Sequence, residues 1–338
     1  MRDASPPPAV ALRDLTRSFG HTLAVDRLSF SVSPGELFGI VGPDGAGKTT
    51  TLRMLAGILP PTSGTALVQG VDVGADPEGA KPFTAYMSQQ FGLYADLTVQ
   101  ENIEFYADLY RVPGDERPRR LERLYAFSNL GPFRDRQAGN LSGGMKQKLS
   151  LSCALIHHPR VLLLDEPTFG VDPISRRDLW LILHDMVAEG VTVLVSTSYL
   201  DEAERCDRVI LLHQGRTLAL DTPERLLEFL PGEVVAIRGP RPREIRDLVR
   251  ALPGILGAAI FGNKVHAVLS GGAGAREALA AKLAEAGLAS TWRETGTGEA
   301  VPASEMAGLG RELPAVETVE PSLEDVFLHL VREAGGHG

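Results

Sequence analysis

The alternation of apolar and polar positions divides the first two thirds of the chain into three regions. Residues 9–41 alternate in short runs, which predicts antiparallel strands beside the strand that ends at Val41. From about Leu97 to Phe133, apolar residues recur at spacings of three and four, and we expect a helical subdomain over about 94–140. Further along, the apolar runs VLLLD, VTVLVST and VILLH alternate with helical patterns over 173–188 and 199–205. Such alternation predicts an α/β domain with a mostly parallel sheet.

The last third of the chain has a different pattern. A predicted helix from about Pro223 to Leu230 is broken by Pro231 and Gly232, and we place a domain boundary there. Beyond it the pattern predicts a strand (EVVAIR), a helix over 243–251, two strands around FGNK, a helix over 274–286, a polar Gly-rich loop and a last helix. Ser322 and Asp325 have the spacing of a capping box for that last helix. The predicted organisation is therefore a disordered lead-in (1–8), a main domain (9–230) and a small α+β domain (231–338).

Composition restricts the partners that this chain can have. The 338 residues have a formal net charge of −9, which argues against nucleic acid as a partner. No apolar run approaches the roughly 20 residues that span a bilayer, and MRDASPPPAV lacks the apolar core of a signal peptide. We therefore expect a cytoplasmic protein. The two cysteines, Cys153 and Cys206, and the eight histidines have no metal-ligand spacing.

The stretch GPDGAGKTT satisfies the pattern GxxxxGK[ST] between an apolar run and a helical pattern, which is the context that a phosphate-binding loop requires. Glycines let successive backbone N–H groups point at phosphates, and the start of the helix adds partial positive charge. Lys48 is expected to contact the β- and γ-phosphates, and the Thr49 hydroxyl to bind Mg²⁺. The predicted loop consists of Gly42, Pro43, Asp44, Gly45, Ala46, Gly47, Lys48, Thr49 and Thr50.

Two carboxylates follow the apolar run VLLL at 161–164. They fall at the carboxyl end of a predicted buried strand, where open α/β sheets bind ligands. We expect Asp165 to hold Mg²⁺, through water, and Glu166 to polarise the attacking water. A strand that ends in Asp-Glu is common by itself, so this hypothesis depends on the phosphate loop that precedes it.

The segment LSGGMKQ at 141–147 predicts a second anion-binding helix start. Ser142, Gly143 and Gly144 expose backbone N–H groups ahead of a helix over 145–156. By itself this is an ordinary capped helix. The helix starts at the phosphate loop and at Ser142 would both bind phosphate. Two such starts for one nucleotide suggest that another chain supplies one of them.

The ordered set of motifs resembles the ATP-binding cassette (ABC) family over about residues 9–228, which implies ATP and Mg²⁺ as ligands. Gln89 in YMSQQFGLY falls at that family's Q-loop glutamine, which contacts Mg²⁺ and the transport partner. Asp172 in FGVDP resembles the D-loop aspartate, and Phe19 matches the aromatic residue that stacks on adenine. Taken alone, Phe19 would be a core aromatic and Gln89 a surface amide.

One position departs from the family. In VLVSTSYLDEAERCDRV, Ser198 stands where the family usually has a histidine that contacts the γ-phosphate and helps to fix the attacking water. Serine is shorter and does not titrate near neutral pH. Losing one preorganised polar contact costs about 10²–10³ in kcat. We therefore expect ATP binding with slow hydrolysis, unless a partner subunit or a water held by Ser198 compensates.

The stretches PTFGVDPISRRDLW and YLDEAERCDRV, with the terminal PSLEDVFLHL, are similar to ATPase subunits of bacterial ABC-2 type exporters. That resemblance implies a peripheral subunit that pairs with a second copy or a related subunit and powers a separate ABC-2 type membrane permease on the inner face of the membrane. The exported compound would be a drug or other small hydrophobic molecule. The alternative is a slow or regulatory ATP-dependent switch outside transport. A P-loop kinase does not account for LSGGMKQ.

Overall fold

A computed structural model describes residues 6–89, 92–239, 241–270, 272–286 and 316–335. The chain forms two compact units, residues 1–223 and 224–338, so the division falls a few residues before the boundary that the sequence predicts. Residues 1–5 of the predicted lead-in and most of the predicted Gly-rich loop, at 287–315, lie outside the described residues.

The first unit contains ten strands and seven α-helices among its described residues. The strands are β1 (Val10–Phe19), β2 (Thr22–Val32), β3 (Leu37–Val41), β4 (Ser63–Val68), β5 (Val71–Asp72), β6 (Thr84–Met87), β7 (Val161–Asp165), β8 (Thr192–Thr197), β9 (Arg208–His213) and β10 (Arg216–Asp221). The helices are α1 (Lys48–Leu55), α2 (Pro77–Ala80), α3 (Val99–Leu109), α4 (Arg117–Ser128), α5 (Gly143–Leu155), α6 (Pro173–Ala188) and α7 (Leu200–Ala203). Helix α8 (Pro223–Leu227) begins at the division between the units.

The central sheet has the strand order β10-β9-β3-β8-β7-β6. Strands β9, β3, β8, β7 and β6 are parallel, and only β10 runs antiparallel to its neighbour. Every residue of β3, β7 and β8 is buried, which agrees with the continuous apolar runs in the sequence. The predicted mostly parallel sheet is confirmed, and its carboxyl edge brings together the ends of β3, β7 and β8.

Residues 9–32 form part of a second sheet, which is antiparallel and has the order β2-β1-β4-β5. The predicted antiparallel strands are therefore present, but β1 pairs with β2 and β4, and neither β1 nor β2 pairs with β3. The two sheets and α1 share one apolar core. Phe30 of β2 and Phe38 of β3 stack with ring centroids 5.1 Å apart, which joins the sheets directly.

The helical region contains α3, α4 and the start of α5. Thr98 and Glu101 form a capping box at the start of α3, and the buried Asn102 side chain binds the backbone of Tyr94, Leu97 and Thr98. One buried amide therefore anchors residues 94–98 ahead of α3. No helix among the described residues is long and apolar enough to cross a bilayer.

The second unit contains β11 (Glu233–Arg238), α9 (Pro242–Arg250), β12 (Ile255–Phe261), β13 (Lys264–Leu269), α10 (Gly272–Glu285), β14 (Val316–Thr318) and α11 (Leu323–Gly335). Its sheet is antiparallel with the order β12-β13-β11-β14. This βαββαβ succession with that strand order is the ferredoxin-like, split βαβ arrangement. The capping box at the start of α11 is present, and Asp325 also bonds His266 of β13.

His157 is a partly buried ionisable group where α3, α5 and β6 meet. Its ring stacks on Tyr110 with centroids 3.9 Å apart, and Nε2 lies 3.3 Å from the carbonyl oxygen of Thr84. Burial lowers the pKa of His157 to about 4. Because the folded pKa lies below the ordinary value, the unfolded chain takes up this proton first, and stability falls as the pH falls from about 6.5 toward 4.

We expect the free energy of unfolding to fall between pH 7 and pH 5, with His157 contributing about 2 kcal/mol of that loss. His157→Phe keeps a ring against Tyr110 and removes the titrating group, so its stability should depend less steeply on pH. Urea unfolding at the two pH values measures the difference. Equal losses for wild type and variant would contradict this account.

Candidate functional site

The phosphate loop connects β3 to α1 and lies between two other strands. A Cβ atom on Gly42 would collide with the carbonyl oxygen of Leu212 in β9, and one on Gly47 would lie 2.6 Å from the carbonyl oxygen of Ala24 in β2. Gly47 also has φ of 101°, in the left-handed region that favours glycine. The glycine pattern in the sequence is therefore required by close packing as well as by backbone conformation.

Lys48 is only 4% exposed and lies at the centre of the site. Its Nζ donates to the carbonyl oxygens of Gly42, at 2.7 Å, and Pro43, at 3.1 Å, so the side chain closes the loop. The same atom lies 3.1 Å from Oε1 of Glu166 and 2.9 Å from Oγ of Ser198. The structure thus brings together three residues that the sequence predicts for the site.

Asp165, at the end of β7, accepts hydrogen bonds from three hydroxyl groups. Thr49 Oγ1 and Ser196 Oγ each donate to Oδ1 at 2.9 Å, and the Tyr86 hydroxyl donates to Oδ2 at 3.1 Å. Burial, with the charge of Asp165, raises the pKa of Tyr86 to about 12, so Tyr86 remains a donor.

The side chains that could bind a metal ion at this edge offer oxygen atoms. A hydroxyl of Thr49, the carboxylate of Asp165 and the amide oxygen of Gln89 are the hard ligands that Mg²⁺ prefers, with water and phosphate oxygens completing its shell. These three residues fit the predicted Mg²⁺ ion. Thr49 and Asp165 are hydrogen-bonded to each other.

Glu166 follows Asp165 and has φ of 48°, which is unusual for a residue other than glycine. Its backbone N–H donates to Ser196 Oγ at 3.0 Å. Its carboxylate accepts from Ser198 Oγ at 2.8 Å and lies 3.5 Å from Gln89 Nε2. Backbone strain of this kind is concentrated at functional sites, because the surroundings must compensate for it.

The segment that contains Ser142 and Gly143 forms a separate, exposed helix start. Ser142 caps α5 by accepting from the Met145 N–H at 3.3 Å, while Gly144 packs so closely on Ser175 that a Cβ atom would collide with its Oγ. No hydrogen bond or ion pair joins Ser142 or Gly143 to the phosphate loop within the part of the chain that the structure describes.

Asp172 caps the neighbouring helix α6. Its carboxylate accepts from the Ser175 N–H at 3.0 Å and the Ile174 N–H at 3.1 Å, and the bonds from Ser175 lower its pKa. It therefore lies beside the exposed helix start at Ser142.

Phe19 ends β1 and is 47% exposed, so it is not a core residue. The Arg17 guanidinium lies 4.6 Å from the centroid of its ring.

Four polar residues at this edge were not predicted from the sequence. Tyr86 and Ser196 bind Asp165, Gln147 donates to the carbonyl oxygen of Pro167, and Glu202 binds two threonine hydroxyls. All four lie within stretches quoted above, namely Tyr86 in YMSQQFGLY, Gln147 in LSGGMKQ, and Ser196 and Glu202 in VLVSTSYLDEAERCDRV, but no spacing along the chain assigns them their partners.

The mostly parallel sheet carries a phosphate loop after β3 and two carboxylates at the end of β7. These features together define a nucleotide-binding P-loop protein. The family model described as ABC transporter matches residues 25–169. The chain is 38% identical over 248 residues to the Nod factor export ATP-binding protein I of Burkholderia lata, covering 73% of this chain and 82% of that protein. This chain belongs to the ATP-binding proteins of the ABC transporter family.

Other relatives agree with that assignment. The chain is 48% identical over 248 residues to the probable multidrug ABC transporter ATP-binding protein YbhF of Escherichia coli K12, but the match covers 73% of this chain and 43% of YbhF. The chain thus spans less than half the length of that relative. A structure titled "Structure of ATP binding subunit of ABC transporter" superposes with a TM-score of 0.60 at 30% identity, covering 65% of this chain and 92% of that one. A dimeric, post-hydrolysis cassette, MJ0796, bound to ADP and Pi has a TM-score of 0.57 at 26% identity, covering 63% and 98%.

The packing of the phosphate loop gives a matched pair of glycine variants. Gly45 and Gly47 both have positive φ, but a Cβ on Gly45 has nothing within 4 Å, whereas one on Gly47 meets the backbone of Ala24. We expect Gly47→Ala to weaken nucleotide binding by about 100-fold or more, and Gly45→Ala by about tenfold, the cost of strain alone. Calorimetric titration with ATP and Mg²⁺ measures both affinities. Equal losses would show that the contact with Ala24 does not matter.

Proposed function

We propose that this chain binds ATP with Mg²⁺, hydrolyses it, and powers export through a separate membrane permease. The observation that carries the proposal is the cluster of Lys48, Thr49, Asp165 and Glu166 at one edge of the sheet, joined by contacts of 2.9–3.1 Å. Gly42–Thr50 would enclose the phosphates, Phe19 would stack on adenine, and Thr49, Asp165 and Gln89 would hold Mg²⁺. When bound, Mg²⁺ neutralises charge on the β- and γ-phosphates.

Hydrolysis requires a water molecule to attack the γ-phosphorus while the bond to the β-γ bridging oxygen breaks. Glu166 would orient that water and accept its proton, with ADP and inorganic phosphate as products. Lys48 would stabilise charge on the γ-phosphate. In the structure Lys48 faces Glu166, so a phosphate bound by the loop would compete with a carboxylate for the same ammonium group.

The second copy of the chain has a defined role in this proposal. Ser142 and Gly143 are exposed, and no hydrogen bond among the described residues joins them to the phosphate loop. Asp172 lies beside them. We infer that two chains, or this chain and a related subunit, close face to face. Ser142, Gly143 and Gly144 of one chain then bind the γ-phosphate held by Lys48 of the other. The dimeric form of MJ0796 supports this arrangement.

Export is supported by the names of two relatives, a multidrug ABC transporter protein and a Nod factor export protein. We propose an ABC-2 type permease as the partner, with this chain peripheral on the cytoplasmic face of the membrane. The exposed rings of Tyr94 and Phe105, 4.6 Å apart, follow the Gln89 segment and offer the permease an apolar contact. A drug or other small hydrophobic compound is the proposed cargo. The relatives named above are transport and export proteins, so we do not propose a non-transport switch.

Replacing the carboxylate that activates water tests the hydrolytic step. We expect Glu166→Gln to lower kcat by about 10²–10⁴ while ATP still binds, and the ATP-bound dimer to accumulate in gel filtration. Glu36→Gln is the control, because Glu36 is a buried glutamate remote from the phosphate loop that faces Arg208 at 3.1 Å. Wild-type turnover in Glu166→Gln would contradict the proposed role.

Ser198 gives a second test of the mechanism. Ser198→Ala removes the hydrogen bond that Glu166 accepts at 2.8 Å, and we expect kcat to fall. Ser198→His restores the usual family residue, and we expect kcat to rise by about 10²-fold at most if the missing contact limits hydrolysis. Steady-state phosphate release, with and without permease, measures both. A fast wild-type chain, or a Ser198→His variant no faster than wild type, would contradict the expected slow hydrolysis.

A further inference from the structure

Glu202 of α7 is a buried carboxylate for which the mechanism so far has no use. It is 1% exposed, and its Oε2 accepts from Thr168 Oγ1 at 2.9 Å and from Thr197 Oγ1 at 2.7 Å. Thr168 lies two residues after Glu166, and Thr197 immediately precedes Ser198. One carboxylate oxygen therefore holds the two backbone segments that carry the proposed γ-phosphate contacts.

The other oxygen of Glu202 faces Arg176 without forming a hydrogen bond. Oε1 lies 3.6 Å from Nε of Arg176, and neither of these buried atoms has a hydrogen bond. The Arg176 guanidinium also lies 4.6 Å above the ring of Tyr199. Buried polar atoms without partners are uncommon and costly in folded proteins. A small movement of Arg176 toward Glu202 would satisfy both atoms.

Arg176 lies on the helix that the second subunit is proposed to reach. It occupies the first turn of α6, directly after Ser175, which bonds Asp172 and packs against Gly144. A displacement of the exposed segments at Ser142 or Asp172 therefore acts on the turn that contains Arg176. Contacts therefore connect that surface to Arg176, and they connect Glu202 to Thr197 and Thr168. Between Arg176 and Glu202 lies a separation of 3.6 Å that no hydrogen bond spans.

We propose that Arg176 and Glu202 are positioning residues that transmit contact with the second ATP-binding subunit to Ser198 and Glu166. This inference rests on the proposed function. Closure of the dimer brings Nε of Arg176 within hydrogen-bonding distance of Oε1 of Glu202, and the completed pair fixes the segments on either side of the γ-phosphate. Neither residue touches the nucleotide.

Three variants isolate this pair. Glu202→Gln keeps an oxygen that can accept from the two threonines but removes the charge facing Arg176. Arg176→Met keeps the length of the side chain against Tyr199 and leaves the threonine bonds intact. The third combines both changes. Glu36→Gln is a matched control, because Glu36 is a buried glutamate that also bonds its own segment and faces one arginine, Arg208, away from the site.

We expect Glu202→Gln and Arg176→Met each to lower kcat by about 10- to 100-fold, as misplacement of reacting groups by a fraction of an ångström does, with KM for ATP changed by about threefold or less. The double variant should be no slower than the slower single variant, because both remove the same contact. The urea midpoint of Glu202→Gln should shift about as much as that of Glu36→Gln, whose kcat should equal that of wild type.

Steady-state ATPase assays and urea unfolding of the full-length chain decide the proposal. Single variants with kcat within twofold of wild type, losses that multiply in the double variant, or an equal loss in Glu36→Gln would overturn it. If Glu202→Gln does not fold, Arg176→Met alone decides the proposal, and a kcat within twofold of wild type would overturn it. A wild-type chain no faster than Glu166→Gln would instead refute hydrolysis, and the proposed function would fail together with this inference.

Discussion

The site depends on the burial of one ammonium group. Lys48 is enclosed at the carboxyl edge of the sheet, and a buried positive charge is stable only if carbonyl and carboxylate oxygens surround it. The oxygens come from two loop carbonyls, Ser198 and Glu166, and therefore from the ends of three strands. The parallel sheet provides this convergence because β3, β7 and β8 are neighbours that end on the same side. A change in strand order would leave the lysine without its partners.

The two neighbouring carboxylates, Asp165 and Glu166, have different surroundings at this edge of the sheet. Asp165 accepts from three hydroxyl donors, those of Thr49, Ser196 and Tyr86, which hold its carboxylate in one orientation, as suits a metal ligand. Glu166 accepts from two neutral donors, Ser198 at 2.8 Å and Gln89 at 3.5 Å, and lies on strained backbone. A side chain that must exchange one partner for another during a reaction cycle benefits from that looser arrangement.

Most of the site residues were predictable because they belong to local motifs, whereas their supports belong to the tertiary structure. The phosphate loop, the strand at 161–165 and the helix at 173–188 follow from spacing and apolar runs, since each is a contiguous segment. Strand β6 has only four residues, too few for a periodic pattern, and without it Tyr86 cannot be assigned to Asp165. The role of Glu202 depends on the pairing of β7 with β8, which places Thr168 near Thr197. No spacing along the chain contains that information.

Ser198 illustrates how a departure from a motif can be consistent with its surroundings. A hydroxyl group both accepts and donates, so one Ser198 oxygen accepts from Lys48 at 2.9 Å and donates to Glu166 at 2.8 Å. A neutral imidazole in the same place would need one ring nitrogen for each contact, and the nitrogens lie on different sides of the ring. Serine therefore suits a site in which lysine and glutamate face each other. Under the proposed function, the phosphate of ATP would separate that pair, and part of the binding energy of ATP would open the site. The rate of hydrolysis would then depend on what holds Glu166 once Lys48 contacts the phosphate.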